Sequence, residues 1–185
     1  MDIQNMERLG FDIVSKSDSD YRIGIRQKWY WDCMMTKMTQ VIVIRDVETL
    51  TLAIMDQDRE YLEKQSSSLD PSRLPRGIQK GNAVLMLYKA KKITPEAKAR
   101  CLRKPKIRFA FFYVPAVLDL STGESHYITS TPTWGAIYYG KFRFLIRQML
   151  SQNPVSESEP LSKIGIFFNL LFLVVIILNI LLITM

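Results

Sequence analysis

Twelve lysines and arginines stand between positions 71 and 108, at Arg73, Arg76, Lys80, Lys89, Lys91, Lys92, Lys98, Arg100, Arg103, Lys104, Lys106 and Arg108, against a single acid, Glu96. Such clustering is the electrostatic footprint of a surface that meets phosphate, in nucleic acid or in anionic lipid headgroups. Charge elsewhere comes in blocks: −3 over residues 1–20, +4 over 21–45, −5 over 46–70 and zero over 109–163, with a net of +7. The competing account is that the cations form a solvated face or pair with the acidic stretch Asp46–Asp70.

Residues for covalent or metal chemistry are sparse. The only histidine, His126, follows Ser125 in a hairpin-like stretch, and no GxSxG nucleophile elbow accompanies it. Cys33 and Cys101, 68 positions apart, form no zinc-ligand spacing with one histidine. Cys101 lies between Arg100 and Arg103, whose charge favours a thiolate, while burial beside Ala97 would make it an ordinary core residue. The segment Pro75–Gly81 lacks the order of a phosphate-binding P-loop. No cofactor, metal or catalytic residue is therefore expected. The enzyme alternative would need a pocket joining His126 to Asp119 or Glu124.

The 22 residues Ile164–Met185 carry no charge. As a helix they would extend about 33 Å, enough for the ~30 Å hydrocarbon layer of a bilayer. The expectation is a tail-anchored protein whose preceding domain stays in the cytosol. A start of MDIQNMERLG lacks a signal peptide's basic and apolar regions, and the cations near the span (Lys141, Arg143, Arg147 and Lys163) lie on its N-terminal side. The absence of basic residues after the span points to the endoplasmic reticulum or derived membranes. Within the span, Gly165, Asn169, Phe172, Ile176, Asn179 and Ile183 recur at steps of 4, 3, 4, 3 and 4. That heptad seam gathers both asparagines and the glycine, the residue types that hold transmembrane helices together, so a membrane partner or a homo-oligomer is one expectation.

The elements that must position these residues follow from periodicity and punctuation. Residues 1–20 form a polar lead. Tyr21–Trp31 alternates an apolar parity (Tyr21, Ile23, Ile25, Trp29, Trp31) with a basic one (Arg22, Arg26, Lys28), which predicts a strand. Thr39–Arg45 and Glu48–Met55 read as a hairpin broken at Asp46, followed by a helical stretch at Asp58–Gln65 and a loop at Ser66–Gly81. Ala83–Ala90 reads as a strand. Thr94, Pro95 and Glu96 supply cap, first-position proline and first-turn acid for a basic helix Pro95–Arg103. Ile107–Val114 and Ala116–Leu120 are extended on either side of Pro115, and a turn at Ser121–Glu124 leads into Ser125–Thr129. A helix from about Lys141 closes the domain, and Ser151–Ser162 has linker composition.

The predicted fold class is α+β: a compact, mainly antiparallel sheet with a few short helices, then one transmembrane helix. Its parts are a lead (1–20), a cytosolic domain (21–150), a linker (151–163) and the anchor (164–185). The expected function is that of a non-enzymatic adaptor or scaffold at a membrane, its basic surface meeting anionic lipid or an acidic partner. A membrane-tethered nucleic-acid-binding protein, of viral matrix or movement type, is the first alternative, because exposed rings among the cations of Arg22–Trp31 could stack on bases. A membrane-bound enzyme is the second.

Overall fold

Val41–Ile44 and Ala83–Tyr88 are apolar at every position, the pattern of strands covered on both faces. In the computed structural model, which describes residues 2–14, 20–33, 35–66, 80–105, 111–133, 135–151 and 158–184, these runs are the centres of β3 (Thr36–Leu50) and β4 (Lys80–Ile93). They are parallel neighbours, with Val41 opposite Val84. Around them β1 (Asp12–Ile13), β2 (Tyr21–Tyr30), β5 (Phe111–Asp119) and β6 (Ser125–Tyr127) complete a six-stranded sheet whose spatial order follows the chain. Three pairings are antiparallel (β1–β2, β2–β3, β5–β6), and two, at the centre, are parallel. The α+β class holds, with a mainly antiparallel mixed sheet, short helices and a C-terminal apolar helix.

Among the described residues, five helices accompany the sheet: α1 (Asp2–Arg8), α2 (Leu52–Ser66), α3 (Pro95–Leu102), α4 (Ala136–Leu150) and α5 (Lys163–Thr184). α2 and α3 are the crossovers of the parallel pairs. The strand order advances by one neighbour each time, so crossovers of one hand fall on one face. There Met55, Leu62, Ala97 and Cys101 pack over Val43, Met86 and Val117. On the other face Met6, Phe11, Phe142, Leu145 and Ile146 pack over Ile42, Leu85 and Val114. α1 and β1 come from the stretch read as a polar lead: Met6 and Phe11 are buried in that core, and Asp12 pairs with Ile25.

The hairpin predicted over Thr39–Met55 is instead one continuous strand followed by a helix. Asp46 and Glu48 do not break β3 because their side chains alternate outward from it, both exposed. Arg22 donates to Asp46 at 2.7 Å, and Lys91 lies 3.0 Å from Glu48. β5 likewise runs through Pro115 without a break. β6 pairs with Ala116–Leu118, so among the described residues one side of β5 has no strand partner at Pro115, where a missing N–H is tolerated.

The cap of α3 is as predicted, with the Thr94 hydroxyl accepting from the Ala97 amide at 3.3 Å. α4 begins five residues before the expected Lys141, after Gly135 in a left-handed conformation (φ 70). A Cβ at Gly135 would also fall 2.3 Å from the Phe112 ring.

Candidate membrane-facing site

α5 has a mean hydropathy of 2.8 over Lys163–Leu181, long and apolar enough to cross a membrane, and only 6% of that window is buried. It is nevertheless seated on the domain at its first two turns. Between β2 and β3 the chain makes a 3-10 turn, Trp31–Cys33, and α5 packs against it. A Cβ on Gly165 would fall 1.8 Å from the Asp32 carbonyl oxygen, so only glycine allows this approach. Two residues of the seam thus meet the chain's own domain, because the Asn169 side-chain amide donates to the Trp31 carbonyl. Further along, Asn179 donates to the Val175 carbonyl of its own helix at 2.7 Å. Phe172 and Ile176 are exposed; Ile183 lies near the helix end, and its side chain is outside the described residues.

The chain entering α5 is held by buried charge. Asp32 and Lys141 form an ion pair at 2.7 Å, with both side chains almost fully buried. Asp32 also accepts from the Ser162 amide at 2.6 Å, while Lys141 donates to the Pro160 carbonyl at 3.0 Å. Beside them Glu159 accepts from Tyr30 (2.7 Å), Lys28 (2.5 Å) and Arg26 (3.2 Å). Burial opposes ionisation of Glu159, but the Lys28 hydrogen bond and the Arg26 charge outweigh it and hold its carboxyl below the ordinary value. Burial in turn pushes the Tyr30 hydroxyl well above its usual range, which keeps it a donor. Within the basic parity of β2, Lys28 is exposed but Arg26 is not. Arg26 is enclosed, donates to the Leu9 carbonyl at 2.6 Å and lies 4.7 Å from the centre of the Phe11 ring.

This junction gives the sheet a direction. α5 meets the turn from which β3 starts, so the starts of the parallel strands form the end of the sheet nearest α5. In the register Trp29 faces Lys37, and Lys37 faces Lys80. Lys91 is eleven strand positions beyond Lys80, about 36 Å away at ~3.3 Å per residue. Of the described cations of the basic block, Lys80 thus lies at one end of β4 and Lys91 and Lys92 at the other.

Several of its cations have partners. Lys89 pairs with Asp2 at 2.6 Å, Lys91 with Glu48 at 3.0 Å and Arg100 with Asp56 at 2.7 Å. Lys92 and Lys98 are exposed. Arg103 and Lys104 join Arg59 and Arg100 around a cleft of about 80 Å³ between α2, α3 and β5, floored by Met55, Phe111 and Tyr113. Lys80 has a described backbone only, and Arg73, Arg76, Lys106 and Arg108 lie outside the described residues.

Both cysteines are free and buried, and they belong to opposite faces of the sheet. Burial pushes each thiol up to about 12, and at Cys101 the Arg100 charge does not reverse this. His126 sits on β6 with its ring 3.9 Å from Glu124, at the turn after β5. That turn is organised by Asp119, whose carboxylate accepts from the Ser121 hydroxyl at 2.6 Å.

Three groups of residues at the junction escaped sequence reasoning. Asp32 and Lys141 are separated by more than a hundred positions, Glu159 lies in a stretch of linker composition, and Met35 falls in a turn. Trp29 and Trp31 were assigned to an apolar parity, yet both are more than half exposed. Comparison of the chain with models of known protein families, with curated proteins and with solved structures finds no match.

Proposed function

We propose that this chain is a single-pass membrane protein that acts as a non-enzymatic adaptor or scaffold, tethered through α5 with its folded domain in the cytosol. The endoplasmic reticulum or a membrane derived from it is its expected location. The observation that carries this reading is the seating of α5: Gly165, Asn169, Asp32 and Lys141 fix the helix to one end of the sheet, so a crossing helix brings that end to the headgroups. Lys37 and Lys80 start their strands there, where each lysine that reaches an anionic surface contributes about 1 kcal/mol.

Both cores close between Met6 and Leu150 without α5, so residues 1–162 hold every element of the folded domain. The full chain should resist alkaline carbonate extraction, and protease added to sealed microsomes should digest its N-terminus. Residues 1–162 should bind vesicles containing anionic lipid more tightly than neutral ones, with affinity falling as salt rises. Equal binding to both vesicles would remove the lipid role, and tighter salt-dependent binding to RNA would favour the nucleic-acid alternative.

A further inference from the structure

The turn that seats α5, with the end of β2 that leads into it, carries strongly exposed apolar side chains. Trp31 is 57% exposed, Met35 64% and Trp29 54%. Their level relative to a bilayer follows from the helix. The last charge before the apolar run is Lys163, and Asn169, whose amide bonds the Trp31 carbonyl, lies five residues beyond Ile164. At ~1.5 Å per residue the turn therefore reaches about 8 Å along the apolar part of the span. That is the depth at which interfacial elements bury their apolar side and at which tryptophan is enriched in membrane proteins.

We propose that the turn between β2 and β3 is a membrane wedge: Trp31 and Met35 enter the boundary between headgroups and acyl chains of the same bilayer that α5 crosses, and fix the depth and tilt of the domain. The proposal rests on α5 being a membrane span. The polar groups of the turn are suited to leaving water. The Trp31 carbonyl is satisfied by Asn169, the Cys33 carbonyl accepts from the Thr36 hydroxyl at 2.7 Å, and the Asp32 carboxylate is neutralised by Lys141. These groups keep their partners on insertion, the condition that polar groups of any irregular segment at that depth must meet. Met35 adds a second sign. Its backbone is left-handed at φ 51, the one non-glycine residue so placed among those described, and a long apolar side chain is retained where glycine would be less strained.

Depth-resolved quenching in proteoliposomes of the full chain tests this. In one variant Trp31 is the only tryptophan (Trp29→Phe, Trp134→Phe); in a second all three native tryptophans are phenylalanine and Phe172→Trp reports the span. Trp31 emission should be quenched most by lipids brominated near the headgroup and little by acrylamide, while the Phe172→Trp probe responds to deeper bromines. Trp31 open to acrylamide and untouched by any brominated lipid, with the Phe172→Trp probe quenched, overturns the wedge and leaves the span standing. Neither probe quenched overturns the span and the wedge with it. The wild-type chain supplies a readout free of substitutions: with a photoactivatable lipid, adducts should map to Trp29–Lys37, and adducts confined to α5 overturn the wedge.

Discussion

At the scale of single residues, the span is read differently once Gly165 and Asn169 are seen against Trp31 and Asp32. The heptad spacing that suggests a second transmembrane helix is, at its first two positions, the footprint of the chain's own domain. Asn169→Leu should therefore loosen the domain from α5, whereas Asn179→Leu, which removes a bond internal to the helix, should not. Gly165→Ala should act more strongly, since its methyl would overlap the Asp32 carbonyl; overpacking of this kind costs ~1–3 kcal/mol. Amide exchange at Ser162 in detergent micelles reads all three, and equal exchange in the two asparagine variants would show that the Asn169 contact holds nothing. Met35→Gly should raise the thermal stability of the domain. Relief of a left-handed residue is worth ~1–2 kcal/mol and the extra freedom of an unfolded glycine removes up to ~1 kcal/mol, leaving a net gain of about 0–1 kcal/mol even at the full glycine cost. A lower melting temperature would mean that the Met35 side chain packs in a way its exposure does not suggest.

At the scale of elements, what the sequence discloses is what is encoded locally. Thr94, Pro95 and Glu96 announce the start of α3 because each acts within one turn, and α5 is announced by unbroken hydrophobicity. β3 is misread because Asp46 looks like punctuation. Its outward direction and its pairing with Arg22 depend on β2, which no local pattern contains. The basic block is legible as composition, but its division between the two ends of β4 appears only when strand direction and the position of α5 are known. Ser158–Ser162 is the clearest case of structure without a local signal, since its anchors, Arg26, Lys28, Asp32 and Lys141, come from β2, the 3-10 turn and α4. A pH dependence follows. Glu159 titrates below its ordinary value in the folded protein, so its contribution is fully present above the unfolded value of ~4.3 and is lost as pH falls through the folded one. The segment should loosen as pH falls below the ordinary carboxylate range, and in Glu159→Gln it should be loosened already at neutral pH. A hydrogen bond between charged groups contributes ~1.5–3 kcal/mol, enough for exchange at Ser162 to rise more than tenfold. Exchange that, after correction for intrinsic rates, stays flat as pH is lowered until the domain itself unfolds would place the hold on the segment in Asp32 and Lys141 alone.

At the scale of the whole molecule, the sheet is a spacer with charge at both ends, and the seating of α5 makes those ends unequal. Lys37 and Lys80 lie at the end that α5 touches, and Lys91 and Lys92 lie about 36 Å along β4, several times the ~8 Å over which physiological salt screens a charge. A diffuse cationic domain would lose vesicle binding in proportion to charge removed from either place. An oriented one would lose it only at the anchor side. With about 1 kcal/mol for each lysine that reaches the surface, Lys37→Gln with Lys80→Gln should weaken binding of residues 1–162 to anionic vesicles by roughly 30-fold and flatten its salt dependence. Lys91→Gln with Lys92→Gln removes the same charge and should leave both nearly unchanged. Vesicle sedimentation over a range of salt measures the two pairs side by side, and equal losses would mean that the lysines at the α5 end are not a preferred lipid-facing surface of the domain.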